Sequence, residues 1–490
     1  MHPYNGNLEQ ETKMATNETG STSMDSVVAE VRGGTYGAKI NSVEPGGAGF
    51  IPLDERHGKP HSLFWTWMSP NLEFTTVYVG VIAVLFFGLT IWQGILAVAV
   101  GNLLGSVAHA FLSARGPAFG VPQMVMSRIP FGYRGNILPA GLNTIIAGVG
   151  WFAVNSVSGA FALSTLTGIS REISLVVVVA IQIIIAFFGH NFVQAFERIA
   201  FPLLALAFIL AIFTIVPNVD ASLAPGGGGI GGFLLALGTA FGYSAGWNPY
   251  AADYTRYLSP NTPKVATAIW AGLGVFVSCT VLMSLGVVSA TLVAAPDASP
   301  TDVFTSTMPS LIAAFVLLAI VIGGISANAI NIYSGSMSFV ALGFGVLPER
   351  LRRAMVALIL GALGGIIAFI GLSDISQYQN FLFVIAYWVG PWLGVVFADW
   401  FLRRRHRIDG FLFDKKHNPW AGFLAMALAM IFSIWLFSNQ VQYVGIVPAA
   451  VPEFGDSAFE FGFIFAVVFY AILFKFQRER KDEIMVLPTR

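Results

Sequence analysis

The 490 residues carry 26 basic and 26 acidic side chains, and this zero net charge argues against a nucleic-acid partner. They are 56% hydrophobic and 11% charged, against roughly 25% charged in a soluble domain, and the mean hydropathy is +0.72. That balance fits a chain that crosses a lipid bilayer many times, and its apolar runs of about 20 residues without period-two alternation predict helices, not a barrel. The single cysteine, Cys279, lies in an apolar run and excludes a disulfide framework.

Residues 1–60 are polar and glycine-containing and lack the basic start and short apolar core of a cleavable signal. They predict a disordered cytoplasmic tail, whose first two dozen residues read as an extension. Apolar runs then predict twelve spans, near 63–87, 91–113, 136–163, 173–189, 200–216, 229–257, 264–291, 309–343, 354–372, 377–402, 418–438 and 457–475. They group as 61–216 (spans 1–5), 229–405 (spans 6–10) and 417–476 (spans 11–12), followed by a cytoplasmic tail, 477–490.

Charge sets the direction, because Lys and Arg concentrate in cytoplasmic loops. With twelve spans, both termini and every even-to-odd loop share one side, and only Arg171 of the 26 Lys and Arg residues falls on the other. Both ends are therefore expected in the cytoplasm. Abundant Gly and Ala and short loops point to a bacterial inner membrane.

Span 1, LFWTWMSPNLEFTTVYVG, is broken at Pro70-Asn71, and span 6, FGYSAGWNPYAADY, at Gly246, Asn248 and Pro249. The two prolines lie 179 positions apart, the difference of 249 and 70. The same offset carries Trp151 of span 3 to position 330, beside Asn331 of span 8. Span 3 holds Trp151 and Asn155 on one face, and span 8 holds Asn328 and Asn331 on one face. Each feature alone has an ordinary explanation: a proline kink, an interfacial Trp, an Asn bonded to a neighbouring helix. In register they predict an inverted five-plus-five repeat whose broken helices form a binding site near mid-membrane.

With these residues in view, the chain resembles the purine–cytosine permease branch of the nucleobase–cation symporter family. The resemblance runs over roughly 43–405, from VEPGGAGFIPLDERHGKP through GVPQMVMSRIPFGYRGNILPA, GWNPYAADYTRYLS and NIYS to PWLGVVFADWFLRRR. It implies an all-α LeuT-like fold and a flat heterocycle sandwiched by an aromatic of span 3 and a Trp of span 6, here Trp151 and Trp247. It further implies that Asn155 and Asn331 read the ring's edge, while the family's frequent Asn at position 328 is of structural use. The chemistry agrees: two indoles suit the faces of a nucleobase, and an amide offers a donor and an acceptor to its edge. Ser244, one turn before Trp247, either faces the same cavity or bonds back to its own helix.

No cofactor or metal is expected, only a coupling ion. Glu73, three residues beyond Pro70, is either a proton carrier or a wetted carboxylate capping the half-helix that follows. Asp253, with Arg256 three residues on, reads as a gate or ion pair, and Asp399 with Arg403 as an interfacial pair. Glu197-Arg198 falls in a short loop with no role beyond capping. Sodium-coupled relatives pair two hydroxyls in span 8; here Ser326 stands between Ile325 and Ala327, which favours protons over sodium. The expected function is proton-coupled import of cytosine or a purine by alternating access. Uracil, allantoin, a hydantoin or a vitamin remain alternative cargoes, and the oligomeric state stays open. A channel lacks a polar pore stripe, and an enzyme lacks clustered catalytic groups, since His109 and His190 are isolated.

Overall fold

A bilayer offers backbone N–H and C=O groups no partner, so each crossing must satisfy its own. In the computed structural model, which describes residues 26–32, 35–45, 47–292, 299–344, 348, 351–372, 378–404, 408–477 and 484–486, helices do this. The first crossing is split into α1a (Ser62–Met68) and α1b (Phe74–Leu85). Then come α2 (Ile91–Ser113), α3 (Ile137–Thr167), α4 (Arg171–Phe188) and α5 (His190–Ile215). The second half holds α6a (Gly229–Ala245), α6b (Ala251–Thr255), α7 (Lys264–Ser289), α8 (Ser310–Ala341), α9 (Arg352–Gly371) and α10 (Tyr378–Leu402). Finally, α11 is Ala421–Phe437 and α12 is Ala458–Phe476. Among the described residues, ten crossings pass on length and hydropathy alone, the bent α1 pair adds an eleventh, and the shorter apolar α11 brings the number to twelve. Strand β1 (Ser26–Val28) pairs in parallel with β2 (Ile484–Val486), so the two ends share one face, as an even number of crossings requires.

The helices pack in two groups. In one, α2 lies against α6a and α7, and α7 lies against both halves of α1; in the other, α3 and α4 pack with α8 and α9. α5 touches α1a, the α1 break and α8, and so bridges the groups. α10 packs on α6a and α12, and α11 on α12. Phe437 stacks on Phe461 at 3.8 Å at that last contact. Glycine permits the closest approach in the first group: a Cβ at Gly80 would lie 1.8 Å from the Met283 carbonyl, and one at Gly286 1.8 Å from that of Val77.

Three expectations need correction. The tail was expected to be disordered to residue 60, but Tyr36, Glu44, Phe50 and Ile51 are buried on the face that carries the termini. Residues 1–25 of that tail lie outside the described residues, as do 478–483 and 487–490 of the C-terminal one. The fifth span begins at His190, ten residues earlier than expected, because its polar turn buries Asn191 and Glu197 inside the protein. Finally, α6 is tightened into a 3-10 turn at Asn248–Tyr250 instead of being unwound. Gly246 and Trp247 still donate N–H bonds back to Gly242 and Ser244, and Pro249 has no N–H to lose. The true break is in α1, where Leu72 and Glu73 leave helical geometry and the halves bend by 59°.

The N-terminal segment closes the terminal face through Glu44. Its carboxylate accepts from Arg256 at 3.0 Å, from the hydroxyls of Tyr333 at 3.2 Å and Tyr257, and from the His190 backbone N–H at 3.0 Å. Arg32 and Arg353 each come within 3.8 Å of it. Arg353 also donates to the Ala186 carbonyl at 2.9 Å and to that of Phe187 at 2.7 Å, near the end of α4. One side chain thus ties the segment after α6b to α5, α8 and α9. Burial alone would raise the pKa of Glu44, but Arg353, Arg256 and Arg32 outweigh it and hold it at about 2, below the usual 4.5.

Two predictions follow from this packing. Gly286→Leu is expected to destabilise the α1b–α7 contact by about 1–3 kcal/mol, measured as a lower melting temperature in detergent. Glu44→Gln leaves the buried guanidinium groups of Arg256 and Arg353 without a carboxylate partner, while Arg32 keeps Glu55, and is expected to cost about 3–5 kcal/mol at neutral pH. Because the folded pKa of Glu44 is depressed, its contribution is complete above about pH 4.5 and fades as pH falls towards 2. The melting-temperature gap between wild type and Glu44→Gln should therefore narrow between those pH values and not at higher pH.

Candidate functional site

The α1 break organises the centre of the bundle. Pro70 sits in the 3-10 turn Ser69–Asn71, and the extended Glu73 starts α1b as its N-cap. Asn71 bridges: its amide donates to the Trp67 carbonyl at 2.7 Å, and its Oδ1 accepts the indole N–H of Trp247 at 2.8 Å. The break in one half thereby fixes the tryptophan of the other. Trp67, which the sequence analysis passed over, stands edge-on to Trp247 at 6.0 Å and to His109 at 4.2 Å.

A π-helical turn, Ile146–Trp151, interrupts α3 and ends on Trp151, the kind of irregularity that recurs at functional positions. The Trp151 ring is held edge-on by Tyr243 at 5.1 Å and Phe381 at 5.2 Å. Its indole nitrogen would lie 3.2 Å from a Cβ at Gly246, which has none. Trp151 thus approaches the backbone just before Trp247, and among the described residues the rings of the two candidate indoles contact different partners.

The three asparagines form one network. Asn155 accepts from Thr75 Oγ1 at 2.9 Å and donates to Asn328 Oδ1 at 3.1 Å, which also receives Asn331 at 3.3 Å. Asn328 in turn donates to the Phe152 carbonyl at 2.8 Å and to Ser156 Oγ at 3.1 Å. Its hydrogen-bonding groups are spent within the protein, so it acts as a holder. Asn331 keeps its Oδ1 unpartnered. One amide N–H each on Asn155 and Asn331 also remains unused, since a carboxamide nitrogen has two. A donor and an acceptor are therefore available together. Asn248, at the α6 turn, is buried beside the His109 ring.

The other candidates are placed differently. Ser244 Oγ donates to the Ala240 carbonyl at 3.0 Å and faces Gly105 of α2, so its hydroxyl serves helix packing and not the cluster. Glu73 is fully buried, not wetted, and accepts from the N–H groups of Thr75 at 2.8 Å and Thr76 at 3.1 Å and from Tyr243 at 2.9 Å. Asp253 forms no ion pair with Arg256; it accepts from the Gln123 N–H at 2.9 Å, while the Arg256 guanidinium is drawn to Glu44. Asp399 does pair with Arg403, at 2.7 Å. Ser326 does not face a second hydroxyl of its own helix: it donates to Glu197 at 2.5 Å and contacts Ser69 of the break at 3.3 Å. Glu197, read as a loop residue, is therefore at the centre of the molecule and fully buried. A polar i, i+3 face (Gln194, Glu197) before the apolar run was its only trace in the sequence.

Cavities open on both faces, and one of them reaches the cluster. One of about 240 Å³ is lined by Phe74, Thr75, Tyr78, Tyr378 and Phe381, and includes Pro300 of the α7–α8 connection opposite the termini. It reaches the cluster at Thr75 and touches neither Trp247 nor Asn331. Another of about 550 Å³, on the terminal face, is lined by His57, Ser62, Gln194 and Arg198.

Comparison with known proteins places the chain in a family and a fold. The family model described as "Permease for cytosine/purines, uracil, thiamine, allantoin" matches residues 50–459. YxlA of Bacillus subtilis is 30% identical over 446 residues, covering 87% of this chain and 94% of its own. The purine-cytosine permease fcyB of Emericella nidulans is 30% identical over 439 residues, 84% of each chain. In fold, the chain is similar to Mhp1, a nucleobase-cation-symport-1 family transporter, with a TM-score of 0.70 at 19% identity over 90% of this chain and 96% of that one. The LeuT-like architecture is thereby established, and the chain belongs to the cytosine/purine permease family, in the purine–cytosine branch of the nucleobase–cation symporters, whose members are transporters and not enzymes.

Proposed function

We propose that this protein is a symporter that imports cytosine or a purine base with protons by alternating access. The observation that carries the reading is the approach of Trp151 to Gly246, the residue before Trp247, together with the unspent amide groups of Asn155 and Asn331. A flat ring offers two faces for indoles and an edge of donors and acceptors for carboxamides. A cavity that reaches the cluster at Thr75, a separate one on the terminal face, and the division of the helices into two packed groups support an alternating exposure of the site. The confinement of Lys and Arg, apart from Arg171, to one side supports cytoplasmic termini in a cell membrane. Closure of the terminal face through Glu44 would then be closure on the cytoplasmic side.

Uptake of radiolabelled cytosine into proteoliposomes under an imposed pH gradient, without sodium, tests this. Adenine and hypoxanthine are expected to compete, and uracil and allantoin to compete poorly. Trp247→Ala removes one stacking face and should weaken apparent affinity about 5- to 150-fold, the equivalent of roughly 1–3 kcal/mol. Uptake of allantoin or uracil in place of cytosine would move the cargo within the family. Downhill flux with no accumulation in the wild type would sink the symport reading.

A further inference from the structure

We propose that Glu197 is the proton-binding carboxyl that couples this transporter, held between α5, the α1 break and α8. The assignment rests on the proton-coupled reading above and chooses among the buried carboxyls. Glu73 is occupied as an acceptor: two backbone N–H groups and a tyrosine hydroxyl point at it, an arrangement that calls for the carboxylate and makes it a cap. Glu197 has the opposite surroundings. Its hydrogen bonds are to hydroxyls alone, Ser326 Oγ at 2.5 Å and Ser69 of the break, with no N–H donor, and Oε1 lies buried without a partner in hydrogen-bond geometry. None of the ion pairs among the described residues involves it. An uncompensated carboxylate in a dry interior is strongly disfavoured, and one proton removes the charge.

The neighbouring elements supply no substitute for that proton. Ser69 comes from the break, Ser326 from α8 and Tyr254 from α6b. α4 carries charge only at Arg171 and Glu172, and α7 only at Lys264. No charged residue occurs in α8, and α1a has His61 alone, as its exposed N-cap. On α5 itself, Arg198 lines the terminal-face cavity and His190 lies two turns away, stacked on Tyr257.

A path and a lever are both present. Gln194, one turn before Glu197, lines the terminal-face cavity and accepts from Thr66 of α1a at 2.8 Å. The next turn inward on the same two helices brings Glu197 to Ser69 through Ser326. Ser69 lies two residues from Asn71, which holds the Trp247 indole. Gaining a proton turns the carboxylate into a neutral acid that the closed α1–α8 contact accommodates. Losing it to water in the terminal-face cavity restores a buried charge that pulls Ser69 and Ser326 towards hydration and loosens the break. No other atom is exchanged.

Two measurements on the full-length protein test this. Infrared difference spectroscopy at neutral pH should show a protonated-carboxyl band that is absent from Glu197→Gln and kept in Glu73→Gln; this needs no substrate. The reverse pattern, or no such band in the wild type, overturns the assignment. In proteoliposomes, a one-unit pH gradient allows about tenfold accumulation per proton, and Glu197→Gln should lower it to near one while cytosine exchange persists. Glu197→Asp should retain part of the accumulation. Undiminished proton-driven accumulation in Glu197→Gln, or accumulation driven by sodium and dependent on Glu197, also overturns it. If the wild type carries no nucleobase, the cargo reading fails while the infrared band still decides the fate of Glu197.

Discussion

The break in α1 is the constraint on which the rest of the centre depends. A continuous helix would give residues 69–73 no reason to turn side chains and carbonyls towards three other helices. Pro70 removes one N–H and fixes the 3-10 turn, and the extended Glu73 restarts the helix by accepting the first free N–H groups of α1b. The break is accommodated only because α8 approaches it without side-chain bulk. A Cβ at Gly323 would lie 2.3 Å from the Leu72 carbonyl. What would be an unsatisfied gap in lipid is thus closed by protein on all sides, as buried irregular backbone requires.

From this single interruption, two polar arms diverge. Asn71 reaches across to the indole of Trp247, while Ser69 reaches back to Ser326 and Glu197. The indole proposed to stack on the cargo and a buried carboxyl are consequently attached to the same three-residue turn. A small rotation of that turn must move both, since each arm is a direct hydrogen bond and α5 is packed on both the break and α8. Coupling between sites needs an element with two arrangements that each ligand biases differently. The α1 turn is the element here that touches both.

Much of this was legible in the sequence. Pro70 and Pro249, Trp151 and Trp247, and the paired asparagines announced themselves because polar and helix-breaking residues are costly in apolar runs and stand out there. The spacing that relates the halves is a property of chain position and survives without coordinates. What escaped was of another kind. Hydropathy places Glu197 in a loop because its turn is polar, but polarity in sequence does not distinguish a wet loop from a buried helix start. The Asp253–Arg256 spacing allowed an ion pair, yet Glu44, more than two hundred residues earlier, takes the guanidinium at 3.0 Å. The tightening of α6 was invisible for a similar reason, since Pro249 is equally compatible with an unwound gap and with a 3-10 turn.

The two closures around the centre are unequal in chemistry, and that inequality carries a mechanistic consequence. On the terminal face, Glu44 and its arginines form a buried ionic lock, while towards the other face Trp151 meets Tyr378 and Phe381 through aromatic edges. Breaking the first would expose charges that water solvates well. Parting the second exposes apolar surface at a cost roughly proportional to its area. A ring entering between aromatic edges replaces part of that apolar contact with stacking, so cargo itself can offset the opening on that side. It offers the ionic lock nothing comparable. In the proposed alternating-access cycle, release of the lock would therefore draw on a change that reaches it through the helices it ties together. α5, which begins at the lock and carries Glu197 two turns further in, is the helix positioned to transmit that change.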